Sequence, residues 1–422
     1  MSFLQFVRER NGPAVFGYAL FVGMLSAGYY YNLTFVQLGL EDFGTGWLGL
    51  SAQGIACDMA LFALLTCLAA LVSGFWMQRH GWGRRFRLKL RLAFFVVLAQ
   101  TALTAICPLI RHEWLFLAWL AAAAVALGLG VPALFSLAVD LIPTRDRGMV
   151  AGLVTALAYF AAETLSTSWT FEAFRAQMLV LTASGALLTG MLAFARHPWL
   201  DRLAQQHRLP AFGRGRFTRR PSGLHNRLLF LIVAMFAIYF IDSLGFLRLL
   251  KTPVYMQSAW QSPDLQVRLF IAAMHVAGAL AAGILYASLN ERHLFLWVFG
   301  IFALAHLQYS FDIRLGPGPG AALSMPMLYA LAVSLYTVLN FALWADLSTP
   351  DSICMRSALG VALSGWTATF LSTALAIYLQ GVGVSLERHI QIVDALALLF
   401  FTTALTLAFF HSTQLSHAEA TS

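Results

Sequence analysis

"GFWMQRHGWGRR", residues 74–85, places three glycines and three arginines in one short stretch directly after a long apolar run. Three kinds of site have this composition: a loop that binds phosphate, a patch that binds nucleic acid, and a turn between two membrane helices. Each kind requires a different chain around it. The rest of the sequence therefore decides which one this is.

The overall composition excludes a soluble protein. The chain has 422 residues, of which 59% are hydrophobic and 11% are charged, and its mean hydropathy is +0.73. A soluble domain carries about 25% charged residues. Because so few charges cannot cover a water-exposed surface, most of the chain must face lipid or other apolar helices. The composition predicts a multi-pass membrane protein.

Twelve apolar segments are long enough to cross a membrane as helices. They lie near residues 15–38, 51–77, 91–110, 115–139, 149–170, 178–195, 227–250, 266–289, 294–312, 321–347, 356–380 and 391–411. Basic residues concentrate in the loops that follow the second and the sixth segment. By the positive-inside rule, both loops and both termini are cytoplasmic. We expect a multi-pass protein of the bacterial inner membrane.

The polar, arginine-rich stretch 196–226 lies at the midpoint, with six spans on each side. It predicts an N-terminal six-helix bundle (1–195), a cytoplasmic basic linker and a C-terminal six-helix bundle (227–422). A sequence repeat relates the two halves. Residues 140–167 match residues 346–373 at ten of 28 positions, beginning with an Asp–Leu pair in each copy. Two parallel halves of six spans are typical of secondary transporters, which bind the solute near the midplane.

In this setting the opening stretch is the loop between spans 2 and 3. A phosphate-binding loop requires a preceding strand and a following Lys–Ser/Thr pair, and neither is present. A nucleic-acid patch requires a much larger basic surface. The loop resembles the signature loop of the major facilitator superfamily at Gly74, Arg79, Gly81, Arg84 and Arg85.

One position departs from that family pattern, because Gln78 stands where the family has Asp. "VDLIPTRDRG", from Val139 to Gly148, is similar to the family's turn after span 4. The resemblance implies an all-α membrane protein with twelve transmembrane helices in two pseudo-symmetric six-helix bundles, the major facilitator fold. It also implies solute transport by alternating access.

The loop predicts a latch on the cytoplasmic side. Its glycines let helix ends approach closely, and its arginines can pair with buried acids or with helix carbonyl ends. An open alternative is that the arginines only enforce topology and bind lipid phosphates. The residues of the predicted latch are Gly74, Gln78, Arg79, Gly81, Arg84, Arg85, Asp140, Arg147 and Asp346.

Three acids lie within predicted spans, where a charge is costly. Glu163 and Asp242 are deep, and Asp58 is near the outer end of span 2. We expect the first two to couple protons or to recognise a cationic group. The alternative is a structural acid that accepts hydrogen bonds from neighbouring hydroxyls, such as those of Thr164 and Ser243.

The resemblance also implies that spans 1, 4, 7 and 10 line a central cavity. The lining candidates, mostly amides and aromatic rings, are Tyr30, Asn32, Thr34, Gln37, Tyr239, Tyr336, Asn340 and Trp344. Such groups suit an apolar site with a few orienting polar contacts. The absence of Arg or Lys at mid-depth disfavours strongly anionic substrates.

We therefore expect a monomeric secondary transporter of a small organic solute, neutral or cationic and partly apolar, with protons as the candidate coupling ion. We expect contacts with membrane lipids, but no enzyme activity, cofactor, metal or nucleic-acid partner. The alternative is a non-transporting scaffold or assembly factor that handles lipid or pigment. The central cavity discriminates between the two, since a closed, dry centre favours the scaffold.

Overall fold

The computed structural model describes residues 2–165, 170–218, 224–252, 255, 261–288, 291–315 and 323–420, so part of the predicted linker (219–223) lies outside the described residues. Within them the protein is helical, without strands. The long helices are α1 (Gly12–Trp47), α2 (Ala52–Arg79), α3 (Phe86–Leu109), α4 (Glu113–Leu141), α5 (Thr144–Leu165), α6 (Phe171–Phe194), α7 (Leu224–Leu250), α8 (Leu265–Ser288), α9 (Glu291–Leu315), α10 (Ser324–Asp346), α11 (Ile353–Gly381) and α12 (Leu386–Ala420). Each overlaps one predicted span, which confirms the expected all-α architecture of two six-helix bundles.

Helix α1 is longer than the predicted span 15–38, because "LEDFGT", residues 40–45, continues the helix beyond it. Wide π-type turns occupy Asn32–Leu38 and Phe43–Trp47. The acids of this stretch are held by other parts of the chain: Asp42 Oδ2 accepts a 2.7 Å hydrogen bond from the Phe171 amide, and Glu41 pairs with Lys251. These contacts allow the polar end of α1 to continue as a helix.

Helices α5 and α8 form one of the two most extensive helix pairs between the halves. Glycines allow the backbones to approach: a Cβ at Gly152 would lie 2.6 Å from the Ala279 carbonyl oxygen, and one at Gly283 would lie 2.9 Å from the Gly148 carbonyl oxygen. Small residues four apart on each helix are typical of close helix pairs in membranes. No larger side chain fits at this crossing.

Helices α2 and α11 form the second contact, which runs along most of their length. At one end, a Cβ at Gly74 would lie 2.8 Å from the Ala358 Cβ. In the middle, the Phe62 and Phe370 rings meet edge to face at 4.8 Å. At the other end, a Cβ at Gly381 would lie 3.1 Å from the Cβ of Ala52. The halves therefore touch along two helix pairs, α5 with α8 and α2 with α11.

The chain between α6 and α7 crosses one face of both bundles. We call the end of the molecule that carries loop 80–85 and segment 196–218 the basic face. The Gly215 amide donates to the Ser348 carbonyl at 3.0 Å, and the Phe217 amide donates to the Asp346 carbonyl at 2.9 Å. Thr144 Oγ1 donates to the Arg214 carbonyl at 2.8 Å. The described part of the linker is therefore docked on both halves.

Candidate functional site

A buried carboxylate lies at the centre of the molecule. Asp242 on α7 is 6% exposed. Its two oxygens each accept a 2.6 Å hydrogen bond, one from the Tyr329 hydroxyl and one from the Tyr336 hydroxyl, both on α10. The neighbouring Ser243, which the sequence offered as a partner, is not one of these donors. Two phenols thus satisfy the acid without a cation.

The residues around Asp242 form a network of rings and amides. The Tyr239 and Tyr336 rings meet at 4.8 Å and 72°. Asn340 Nδ2 donates to the Tyr239 hydroxyl at 3.1 Å, and Trp344 Nε1 donates to Asn340 Oδ1 at 2.7 Å. The predicted polar residues of α7 and α10 therefore hold one another in fixed orientations.

A cavity of about 30 Å³ lies between the halves at this level. That volume holds roughly one or two water molecules. Polar groups of both halves line it, including Tyr29, Gln37, Tyr159, Tyr239, Asp242, Tyr336, Asn340 and Thr369. The centre is small in this conformation, but it is not apolar.

Two tyrosines of the first half complete the cavity wall, and the sequence analysis missed both. The Tyr29 and Tyr159 hydroxyls lie 2.7 Å apart, and the Tyr159 hydroxyl is 3.3 Å from Thr337 Oγ1 on α10. The Tyr29 ring also lies 5.6 Å from the Trp366 ring. The run of three tyrosines at 29–31 marks this part of α1 in the sequence. Only the rotation of α1 decides which of the three faces the cavity, and the prediction of Tyr30 was wrong in this respect.

Glu163 on α5 and His275 on α8 form a pair that is fully buried between the halves. Glu163 Oε1 lies 3.2 Å from His275 Nε2. This is an ion-pair distance, although neither carboxylate oxygen has an aligned hydrogen bond. His275 Nδ1 lies 3.0 Å from Ser334 Oγ. Because His275 stacks on Tyr159 at 4.4 Å, Glu163 lies one ring behind the cavity wall.

Several predicted lining residues lie elsewhere. The Tyr30 hydroxyl donates to Gln177 Oε1 at 3.3 Å, and Thr34 Oγ1 packs against Met178, so both face α6. Trp344 is fully buried and covers Gly360, where it fills the contact between α10 and α11.

Two further candidates also lie outside the central cavity. Asn32 lines a different cavity in the first half. Asp58 is buried near the start of α2, six residues after its first residue, and does not line the central cavity. Of the three acids, only Asp242 lines the central cavity.

On the basic face, the signature loop contacts the second half. Gly81 ends α2 with φ +65°, a left-handed conformation that favours glycine. Arg84 pairs with Asp351 at 2.5 Å, and both side chains are more than half exposed. Gln78, Arg79 and Arg85 are exposed.

The two buried acids of the predicted latch have other partners than the loop arginines. Asp140 pairs with Lys89, which the sequence analysis did not single out, and lies 3.0 Å from His207 Nδ1. Asp346 Oδ1 accepts a 2.9 Å bond from Arg147 Nη1, and Asp346 Oδ2 accepts one of 2.9 Å from the Tyr286 hydroxyl. Arg147 is on α5, so this second pair joins the halves.

No protein-family model matches the sequence, and the search of curated proteins finds no match. Solved structures are similar. The human organic anion transporter MFSD10 (TETRAN) superposes with a TM-score of 0.64 and 16% identity, over 93% of this chain and 99% of that one.

The major facilitator superfamily proton:xylose symporter XylE superposes with a TM-score of 0.62 and 13% identity, over 93% of this chain and 96% of that one. A bacterial homologue of the iron transporter ferroportin, in an outward-facing state, gives 0.57 and 16%, over 94% and 98%. These similarities confirm the fold that the loop motif predicts. The chain has the major facilitator fold.

Proposed function

We propose that the protein is a secondary active transporter that moves a small organic cation by alternating access. It acts as a monomer in a bacterial inner membrane, with the basic face and both termini in the cytoplasm. The observation that carries the proposal is the Asp242 carboxylate, buried between the halves and surrounded by tyrosines from both. An intramembrane acid in such a place is a functional site by default.

The chemistry of this site suits a cation with apolar substituents. An ammonium group can replace the Tyr329 and Tyr336 hydroxyls on the two Asp242 oxygens. The surrounding rings offer cation–π contacts of about 0.5–2 kcal/mol each. Because a cavity of about 30 Å³ does not hold such a molecule, the proposal requires the halves to separate on one face before binding.

The test is Asp242→Asn in proteoliposomes, assayed by solid-supported membrane currents for a panel of organic cations that includes tetraethylammonium. We expect transport of any accepted cation to fall roughly 100-fold, since the charge that balances the substrate is gone. Asp58→Asn is the matched control, because Asp58 is also a buried acid but lies outside the cavity. Equal transport by the wild type and Asp242→Asn would overturn the proposal.

We propose further that the Glu163–His275 pair couples transport to protons. The pair joins α5 to α8, so separation of the halves at this level parts the two groups and changes which of them holds a proton. We expect Glu163→Gln to retain downhill exchange of substrate but to lose accumulation driven by a pH gradient. Glu172→Gln, at an exposed acid of α6, is the control. Unchanged pH-driven accumulation in Glu163→Gln would exclude this coupling.

The small central cavity also favours the second candidate, a non-transporting scaffold. The two differ in whether the basic face opens. Cys354 is 1% exposed, and its Sγ lies 3.5 Å from where a Gly83 Cβ would be. A transporter exposes this thiol to maleimide when it opens. A folded protein whose Cys354 stays unlabelled with every solute and gradient tested is a scaffold.

A further inference from the structure

A second cavity is larger than the central one. About 440 Å³ of space lies among α1, α3, α4 and α6 of the first half, with Phe341 of α10 and Trp366 of α11 contributing to its wall from the second half. This is within the range of cavities that hold drug-sized ligands, roughly 300–1,000 Å³. It shares the walls formed by Tyr29, Phe341 and Trp366 with the central cavity, and otherwise has its own lining.

The lining is almost entirely apolar, with no charged side chain. Most of its few polar groups are already used. The Thr182 hydroxyl donates to the Met178 carbonyl and the Thr189 hydroxyl to the Gly185 carbonyl, both at 2.7 Å. An apolar occupant therefore matches nearly the whole surface.

One polar atom in the lining is left without a partner. Asn32 is 6% exposed, and its Nδ2 donates to the Gly28 carbonyl at 2.7 Å, which orients the amide. Its Oδ1 accepts no hydrogen bond from the residues that the structure describes. A buried acceptor without a partner costs about 1–3 kcal/mol. Asn32 lies at the end of the cavity away from the basic face, and a ligand with a donor group relieves this cost.

The position of the exposed lining residues indicates where a ligand enters. Gly23, Ser184 and Leu188 are exposed and lie in the middle stretches of α1 and α6. The middle of a spanning helix faces the hydrocarbon core of the bilayer. The ligand therefore comes from the bilayer, where only a largely apolar molecule is soluble. A phospholipid tail carries no donor for Asn32, so it does not complete the site.

We propose that this cavity binds an uncharged alkyl or aryl molecule from the bilayer that carries one hydroxyl or amine donor, which bonds to Asn32 Oδ1. The apolar part fills the space between α1, α3, α4 and α6. The site stands on its own observations and does not require that the protein transports a cation at Asp242.

The test uses hexadecanol with a photoactivatable diazirine in its chain, on the full-length protein in nanodiscs, with labelled peptides mapped by mass spectrometry. Gly23→Leu and Gly28→Leu fill the cavity without a clash: a Cβ at Gly23 meets nothing within 4 Å, and one at Gly28 meets only Leu134 Cδ1, at 3.9 Å. Gly300→Leu, also in open space but in the second half, is the control. We expect labelling of the four helices that saturates in the wild type and the control and is lost in both filling variants.

A second arm tests the hydrogen bond. Asn32→Leu keeps the branched shape of the side chain and removes the acceptor, so it should weaken the apparent affinity for the alcohol roughly 5- to 10-fold, while the matching diazirine alkane binds the variant and the wild type equally. The proposal is overturned by labelling that never saturates, by equal labelling of the filling variants, or by an alcohol that binds no better than the alkane. It is also overturned if native mass spectrometry finds a phospholipid that the alcohol cannot displace.

Discussion

Asp140 and Asp346 occupy equivalent positions in the two halves of the repeat, and both are completely buried. Their partners differ. Asp140 is paired with Lys89, whose Nζ also donates to the Gly83 carbonyl at 2.8 Å, so its charge is balanced within the first half. Asp346 is paired with Arg147 at 2.9 Å, across the boundary between the halves. Asp140 thus forms a pair within one bundle, whereas Asp346 forms a pair between the two bundles.

This difference predicts different consequences for rocking. A pair inside one bundle persists whether the halves are together or apart, whereas a pair between bundles must break when the basic face opens. Arg147 Nη2 also donates to the Phe212 carbonyl of the linker at 2.5 Å, so opening releases the linker as well. We therefore expect the first pair to stabilise the fold and the second to set how often the face opens.

The largest expected effect is on the pair inside the first half. Lys89→Met leaves Asp140 as a buried charge without its main partner, which costs about 3–5 kcal/mol. We expect a large drop in the thermal unfolding temperature of the purified protein. Lys251→Met, at the chain's other lysine and in a partly exposed pair, is the control. Equal stability of the two variants would mean that Lys89 does not stabilise the bundle.

An intermediate effect is expected at the pair between the halves. Arg147→Met removes charged hydrogen bonds of about 1.5–3 kcal/mol each from the closed state only, and so shifts the equilibrium toward opening by roughly 10-fold or more. The rate of maleimide labelling at Cys354 measures this shift. Arg91→Met, at an arginine that lies over Phe194 within the first half, should leave the rate unchanged. If Arg147→Met destabilised the fold as much as Lys89→Met does, the proposed difference between the two buried pairs would be contradicted.

The smallest effect is expected at the exposed pair of the signature loop. The hydrogen bond to Asp351 raises the pKa of Arg84, so the Arg84 guanidinium stays charged. Because both side chains are exposed, water and salt screen their attraction. Arg84→Gln should change Cys354 labelling no more than a few-fold, and the change should vanish in high salt. An effect as large as that of Arg147→Met would place the latch in the loop.

The fold could be predicted from the sequence because its signals are local. Span length, basic loops and the midpoint at 196–226 each depend on composition within a short window, and the glycine–arginine loop identifies the turn by its own residues. The continuation of α1 through "LEDFGT" could not be predicted, because Asp42 finds its partner in the Phe171 amide, 129 residues along the chain.

The candidate site could be predicted less well. Asp242 is conspicuous because charge is rare in a span, and it lies at the centre, although its role stays a prediction. Its phenol partners were not predicted together, since each residue turns a helix by about 100° and only packing sets the starting angle. In the run 29–31, Tyr29 lines the cavity while Tyr31 bonds to Thr104 on α3. For the same reason, Lys89 could not be identified as the partner of Asp140, since it is one of many basic residues in its loop.

The glycine crossing of α5 and α8 has a mechanical consequence. Backbone meets backbone there, so a small tilt about this point disturbs little side-chain packing. Glu163 is eleven residues beyond Gly152 on the same helix, about 16 Å along its axis. A tilt of about 10° at the crossing therefore displaces Glu163 relative to α8 by about 3 Å. A displacement of this size is enough to break a hydrogen bond. We therefore expect a tilt about this crossing to part Glu163 from His275.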